Sequence, residues 1–257
     1  MGDLRAEEAR AAAHIEAALD GVTVEQHDDG SESSMYDLNL VRDGTVFGAC
    51  EVTAAADRRA IETWNVANGD GKRWIVDGLD GGWMLSLDPR CKIRTLQREA
   101  PGLLRRLEAN PNDVAAAQVL RSLGVVDAHQ GGTNFPGSIY LTVERGIEFT
   151  GGIVADDGNG LVRWFDEWIR EPQQAHNIAK LTRSGLPEKH MFVIVPGFAS
   201  GPFSATDLLM RADPPLPTVL PDLPDGLTHV WLTSTWTAGS IYHCGPSGWV
   251  LNDKAVA

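Results

Sequence analysis

The 257-residue chain has only three cysteines, Cys50, Cys91 and Cys244, and no two of them stand close enough to form a CxxC pair. An odd, scattered set of this kind argues against a disulfide framework and against a thiolate zinc site. It reads as reduced thiols in a cytoplasmic protein. Positive charge is also scarce: 22 Lys and Arg stand against 35 Asp and Glu, a net charge of −13. Tight, sequence-independent binding to nucleic acid needs many cation–phosphate contacts, so the overall balance disfavours it and leaves only a local basic patch. No apolar run approaches the roughly 18 residues of a membrane span, and the charged, amphipathic start MGDLRAEEARAAAHIEAALD does not read as a signal peptide. Nucleotide-binding glycine loops, a G-x-S-x-G elbow and an H-E-x-x-H helix are all missing.

What is present centres on Met35 to Asp57, MYDLNLVRDGTVFGACEVTAAAD. Two apolar-alternating runs joined at Arg42-Asp43-Gly44 predict a β-hairpin. Asp37 opens the first strand, and Glu51-Val52-Thr53 lies late in the second. A two-residue Asp43-Gly44 turn with an unbroken ladder would put Asp37 and Glu51 on opposite faces. A three-residue loop, with Gly44 left-handed and Val41 opposite Thr45, puts Asp37, Ala49, Glu51 and Thr53 on one face. That version is favoured because it segregates the acids from Leu38, Leu40, Cys50 and Val52. Two carboxylates placed diagonally, with backbones roughly 7–8 Å apart, can share one cation.

An Asp followed, about a dozen residues later, by Glu-x-Lys on a hairpin resembles the PD-(D/E)XK nuclease-like superfamily. Here Tyr36 stands where that family has Pro, and Thr53 stands where it has the catalytic Lys. The chain also resembles bacterial proteins without an assigned role that carry Glu-Val-Thr at this place. The family resemblance implies a core of helix, three antiparallel strands, helix and strand, expected over about the first 90 residues. It implies Asp37 and Glu51, with the Val52 carbonyl, as ligands to Mg²⁺ or Mn²⁺, and a hydrolase that cuts DNA. Thr53 cannot supply the positive charge, so Arg58, Lys72 or Lys92 would have to reach in. The alternative is a catalytically inactive nuclease-like fold that serves as a binding or assembly module.

Other residues carry weaker signals. Glu16, beside the buried stripe of a predicted first helix, is a candidate further acid for the metal, or a solvated surface residue. His27-Asp28-Asp29 can chelate, but an Asp- and Gly-rich turn needs no metal to explain it. His190, before the apolar strand Met191 to Val195, is a candidate general base or phosphate contact, or a structural histidine. Arg90, Lys92, Arg94 and Arg98 form the most basic segment, a candidate nucleic-acid patch or a solvated helix face. The helix predicted from Gly160 to about Arg170 has Trp164, Phe165 and Trp168 as core anchors. Pattern and length together predict one α/β domain over residues 1–257. Its mixed sheet is flanked by helices; the resemblance implies a restriction-endonuclease-like core in residues 1–125, with residues 126–257 extending the sheet. No membrane contact is expected, and a homo-oligomer stays open.

Overall fold

The computed structural model describes residues 4–56, 58–69, 71, 73–143, 157–196, 203–235 and 239–254. In chain order the elements are α1 (Ala6–Ala18), β1 (Val22–Gln26), β2 (Leu38–Arg42), β3 (Thr45–Ala54), α2 (Arg58–Asn68), β4 (Trp74–Ile75), β5 (Trp83–Leu87), α3 (Ile93–Ala109) and α4 (Val114–Ser122). They continue with β6 (Val125–Gln130), β7 (Ser138–Val143), α5 (Asn159–Trp168), α6 (Ala175–Arg183), β8 (Glu188–Val195), α7 (Phe203–Leu208), β9 (His229–Ser234), β10 (Ser240–Gly245) and β11 (Gly248–Asp253). The class is the expected one: mixed α/β with flanking helices.

The chain divides into two compact units, residues 1–55 with 151–257, and residues 56–150. This differs from the expected single domain with an N-terminal core. The first unit holds a seven-stranded sheet in the order β1-β2-β3-β8-β9-β10-β11. Antiparallel strands β1, β2 and β3 form one side, and β8 runs parallel to both β3 and β9. The strand beside the hairpin is therefore β8, some 130 residues further along the chain, not β5. Met191 to Val195 is apolar on both faces because β8 is the middle strand of seven and is covered on both sides.

Each face of this sheet has its own core. One face gathers Leu38, Leu40, Cys50, Phe192, Trp231 and Ile241 beneath Ala11 and Ile15 of α1. The other gathers Ala49, Met191, Val193, Leu232 and Tyr242 beneath α5, whose Trp164, Phe165 and Trp168 are all buried. That helix buries Leu161, Val162, Trp164, Phe165 and Trp168, a spacing that places them along one stripe.

The hairpin reaches the expected facing by an unexpected route. Asp43 and Gly44 both have positive φ (51° and 71°), and Arg42 pairs with Thr45, so the turn has two residues. A bulge at Phe47 then shifts the ladder: Val41 pairs with Val46, but Leu40 pairs with Gly48 and Leu38 with Cys50. The extra residue restores the alternation that a two-residue turn alone would break. Asp37 thus precedes a residue paired with Cys50, on the same face as Glu51. The expected three-residue loop is replaced by a two-residue turn plus a bulge.

The second unit contains a four-stranded sheet in the order β4-β7-β5-β6. Its core joins Trp83, Leu85 and Leu87 of β5 to Leu96, Leu103 and Leu104 of α3. Helix α3 covers Ile93–Ala109, the span that the periodicity of Leu96, Leu103, Leu104 and Leu107 predicts, and α4 begins after Asp113, whose carboxylate accepts from Ala116 N–H at 3.0 Å as an N-cap. The second strand expected after Arg145-Gly146 lies outside the described residues. No described helix is long and apolar enough to cross a membrane.

Candidate functional site

Asp37 and Glu51 are 2% and 3% exposed, far drier than carboxylates normally are. Their chain positions explain this. Asp37, just before β2, and Glu51, on β3, stand on the face that α5 and α6 cover, and β3 is flanked on both sides, by β2 and by β8, whose residues His190 to Val195 are buried. Burial of a charge requires partners, and each acid has them. Asp37 Oδ2 accepts from Val52 N–H at 2.7 Å, and Asp37 Oδ1 accepts from Arg5 Nη2 at 2.9 Å. Arg5 also binds Glu8, a buried acid one turn into α1, through its guanidinium and through its backbone N–H, the latter at 2.9 Å. Glu51 Oε1 accepts from Lys180 Nζ of α6 at 2.7 Å, while Glu51 Oε2 is buried with no hydrogen-bond partner among the described residues.

The electrostatics follow from this arrangement. Burial pushes the Glu51 carboxyl up to about 7, the charge of Asp37 adds to the rise, and Lys180 opposes it. Asp37 is also raised, first by burial, with the Val52 N–H bond and the charges of Lys180 and Arg5 pulling the other way. The chain has thus placed two like charges together in a dry position and set a cation against each. One carboxylate oxygen remains without a partner among the described residues.

Other expected participants lie elsewhere. Thr53 is half-buried on the Glu51 face and offers a hydroxyl, not a charge. Arg58 belongs to the second unit; its side chain is 93% exposed and bonded to Glu62 at 2.9 Å. Lys72 lies outside the described residues, and Lys92 is an exposed residue of the second unit. The cation on Glu51 is Lys180, which sequence reasoning missed. Glu16 is exposed and accepts from Val24 N–H at 2.8 Å, tying α1 to β1; the α1 acid linked to Asp37 is Glu8. Arg90, Lys92, Arg94 and Arg98 are all exposed around the start of α3, and Arg98 pairs with Glu99 at 2.9 Å.

His190 lies on the opposite face of the sheet. It pairs in register with Cys50, not Glu51, and is fully buried. Its Nδ1 accepts from Trp231 Nε1–H at 3.0 Å, and its Nε2 is 3.1 Å from Glu188 Oε2. Its ring stacks on His229 with centroids 4.1 Å apart and planes 2° apart. His243 in turn lies flat on Trp231 at 3.7 Å. Burial lowers His190, takes His229 down to about 4 and takes His243 down to about 3, so the rings are neutral. Among the described residues, Glu188, His190 and His229 are the one group of three potential ligands whose atoms lie within 4.8 Å of one another. Glu8, Asp37 and Glu51 are more widely spaced than that.

No family model, curated protein or solved structure matches the chain. The site therefore has to be read from its own chemistry.

Proposed function

We propose that the chain is a divalent-metal-dependent phosphodiesterase of the nuclease-like class, acting on DNA. The carrying observation is Glu51: a buried carboxylate with one oxygen on Lys180, the other without a partner among the described residues, and Asp37 beside it. The order of elements supports the same reading. A helix (α1), three antiparallel strands (β1–β3), a helix (α6) and a strand parallel to β3 (β8) follow the order that the PD-(D/E)XK resemblance implies, with residues 56–150 set into its middle.

The donor set suits a hard cation. Asp37, Glu51 and the Val52 carbonyl are oxygen donors, as Mg²⁺ and Mn²⁺ prefer, and the orphan Oε2 of Glu51 is the oxygen that gains most from one. When bound, such an ion lowers the pKa of a coordinated water and offsets charge on a phosphorane-like transition state. The chain's own residues do the rest. Lys180 supplies the fixed positive charge that Thr53 cannot, from a helix instead of from the strand position two residues beyond Glu51. Glu8 and Arg5 hold Asp37 in place, and Arg5, at 66% side-chain exposure, can swing away to leave Asp37 to the ion. The exposed basic residues Arg90, Lys92, Arg94 and Arg98 are the phosphate-contact candidates of the second unit. The setting proposed is cytoplasmic.

A second reading has its own observation. Arg5 and Lys180 already pair with Glu8, Asp37 and Glu51, and Ala49 is buried under an apolar layer, as expected of an inactive nuclease-like fold kept as a binding or assembly module. One assay separates the two. The full chain is incubated with single- and double-stranded DNA in Mg²⁺ or Mn²⁺, beside Asp37→Asn and Lys180→Met. Metal-dependent cleavage abolished by both substitutions supports the enzyme. The module is left if wild type and variants give the same background.

A further inference from the structure

The opposite face of the same sheet carries a set of potential metal ligands. Glu188 and His190 begin β8 and His229 begins β9, so adjacent parallel strands bring the three to one end of the sheet. Their exposure is graded: the side chain of Glu188 is 37% exposed, that of His229 12%, and that of His190 0%. An ion arriving from solvent meets Glu188 and His229 first, with His190 behind them.

Hydrogen bonding distinguishes the two rings. The indole N–H of Trp231 can only donate, so His190 Nδ1 is an acceptor and the ring proton of a neutral His190 sits on Nε2, pointing at Glu188. His190 therefore has no lone pair left for a metal. His229 is arranged the other way. Thr228 Oγ1 accepts from Lys189 N–H at 2.8 Å and lies 3.2 Å from Lys189 O and 2.8 Å from His229 Nδ1; with its one proton turned to Lys189 O, as metal binding at His229 requires, it accepts from the imidazole. That leaves the lone pair of His229 on Nε2, 4.0 Å from Glu188 Oε2. An imidazole that donates one N–H to a fixed acceptor and offers the other nitrogen is the usual form of a ligating histidine, and ligating carboxylates are usually held by a donor as Glu188 is.

Space has been left for the ring. A Cβ on Gly245 would lie 2.8 Å from Nε2 and 2.5 Å from Cδ2 of His229, so only glycine tolerates this ring position.

We propose that Glu188 and His229 bind one borderline divalent transition-metal ion, of which zinc is the type, with His190 as the positioning residue that holds Glu188. Imidazole with carboxylate suits zinc, cobalt or nickel and disfavours magnesium. At bond lengths of about 2.0–2.2 Å, a tetrahedral ion needs the two donor atoms roughly 3.4 Å apart. The pair must close by roughly 0.6 Å, a small movement for the half-exposed Glu188. The outer positions of the ion are left to solvent or to a ligand.

The test is a titration of Co²⁺ alone into the metal-stripped full chain, read by visible absorption and calorimetry, with circular dichroism to check each variant's fold. One equivalent with ligand-field bands is expected. His229→Ala and Glu188→Gln should each weaken binding at least tenfold. His190→Phe should weaken it 10- to 100-fold, and His190→Gln, which keeps an N–H donor, should recover most of that loss. Asp37→Asn with Glu51→Gln, which removes the oxygen face where Co²⁺ can replace Mg²⁺, should leave the ligand-field bands of this site and the equivalent that produces them unchanged, which separates this site from the acid face. Should His229→Ala fail to fold, Glu188→Gln at its partly exposed position still decides. No bands at millimolar cobalt, or bands untouched by Glu188→Gln, overturn the site. A His190→Gln as weak as His190→Phe overturns the positioning role.

Discussion

Strands β3 and β8 present opposite chemistry on their two faces. On one, Asp37 and Glu51 are carboxylates forced into a dry place and answered by Arg5 and Lys180. On the other, His190, His229 and His243 are bases kept neutral, and His14 of α1 stacks near Phe192 at 6.2 Å. Desolvation acts identically on both and disfavours charge. It raises the acids and lowers the histidines, so one sheet holds carboxyl groups that give up their protons reluctantly on one side and neutral imidazole nitrogens on the other. Under the two proposals, the faces would take different cations.

The largest expected effect lies on the acid face. Lys180→Met should lower any metal-dependent phosphodiesterase rate by about 10²–10³-fold, the usual loss when one preorganised charge at a reacting group is removed. Initial rates on a labelled oligonucleotide check this, with Thr53→Ala as a control expected to change the rate less than tenfold. Equal losses in both would erase the distinction drawn between the helix-borne cation and the strand hydroxyl.

Next in size is packing. Trp168→Ala should cost about 3–5 kcal/mol, since Trp168 is 3% exposed and packed on Trp164 and Phe165 over the acid face. A denaturant melt measures it. A change under about 1 kcal/mol would mean that the aromatic layer is not what keeps Asp37 and Glu51 dry.

The third test compares the faces directly, because their pH dependences have opposite sign. Glu51 is raised from 4.5 to about 7, so between those values the native state binds more protons than the unfolded one, and stability falls as pH rises through the window. His14 is lowered from 6.5 to about 4, by burial first and then by the charges of Lys254 and Arg10. Its contribution is complete above pH 6.5 and is lost as pH falls toward 4. Glu51→Gln should leave a chain whose stability rises more steeply from pH 4.5 to 7, by about 1–3 kcal/mol across the window. His14→Gln should do the reverse. Urea midpoints at half-unit pH intervals give both slopes, and parallel curves for wild type and Glu51→Gln would contradict the raised carboxyl.

The smallest effect concerns the hairpin. Gly44 has φ 71° with open space around its Cα, so Gly44→Ala should cost about 1 kcal/mol through backbone strain alone, without altering DNA cleavage or cobalt binding. A thermal melt beside both assays is sufficient.

Which parts were legible in the sequence follows from range. The facing of Asp37 and Glu51, the α3 helix over Ile93 to Ala109, the strand that the sequence pattern predicts from Trp83 to Leu87 (β5), and the central place that an apolar run such as Met191 to Val195 predicts are local patterns of alternation, periodicity and apolar run. The Phe47 bulge was not legible, because a turn of two residues and a turn of three leave almost the same alternation; only the two-residue pairing of Arg42 with Thr45 discriminates. Lys180 was hidden for a stronger reason. It stands 129 residues from Glu51 on a helix that reads as an ordinary amphipathic one, and only the parallel pairing of β3 with β8 brings them together. The histidine set shows the same limit. His190 and His229 each read as a lone histidine at a strand start; that those strands are neighbours is a fact of topology.

The pairing of β3 with β8 across the 56–150 unit also has a kinetic side. Closing a chain loop costs entropy that grows only as the logarithm of its length, so carrying those 95 residues between the two strands adds about 1 kcal/mol to the closure. Evolution can thus set a whole folding unit inside the sheet's connection at little thermodynamic penalty, while the rate at which β8 finds β3 takes the larger share. A chain shortened at that connection should refold faster far more visibly than it gains stability.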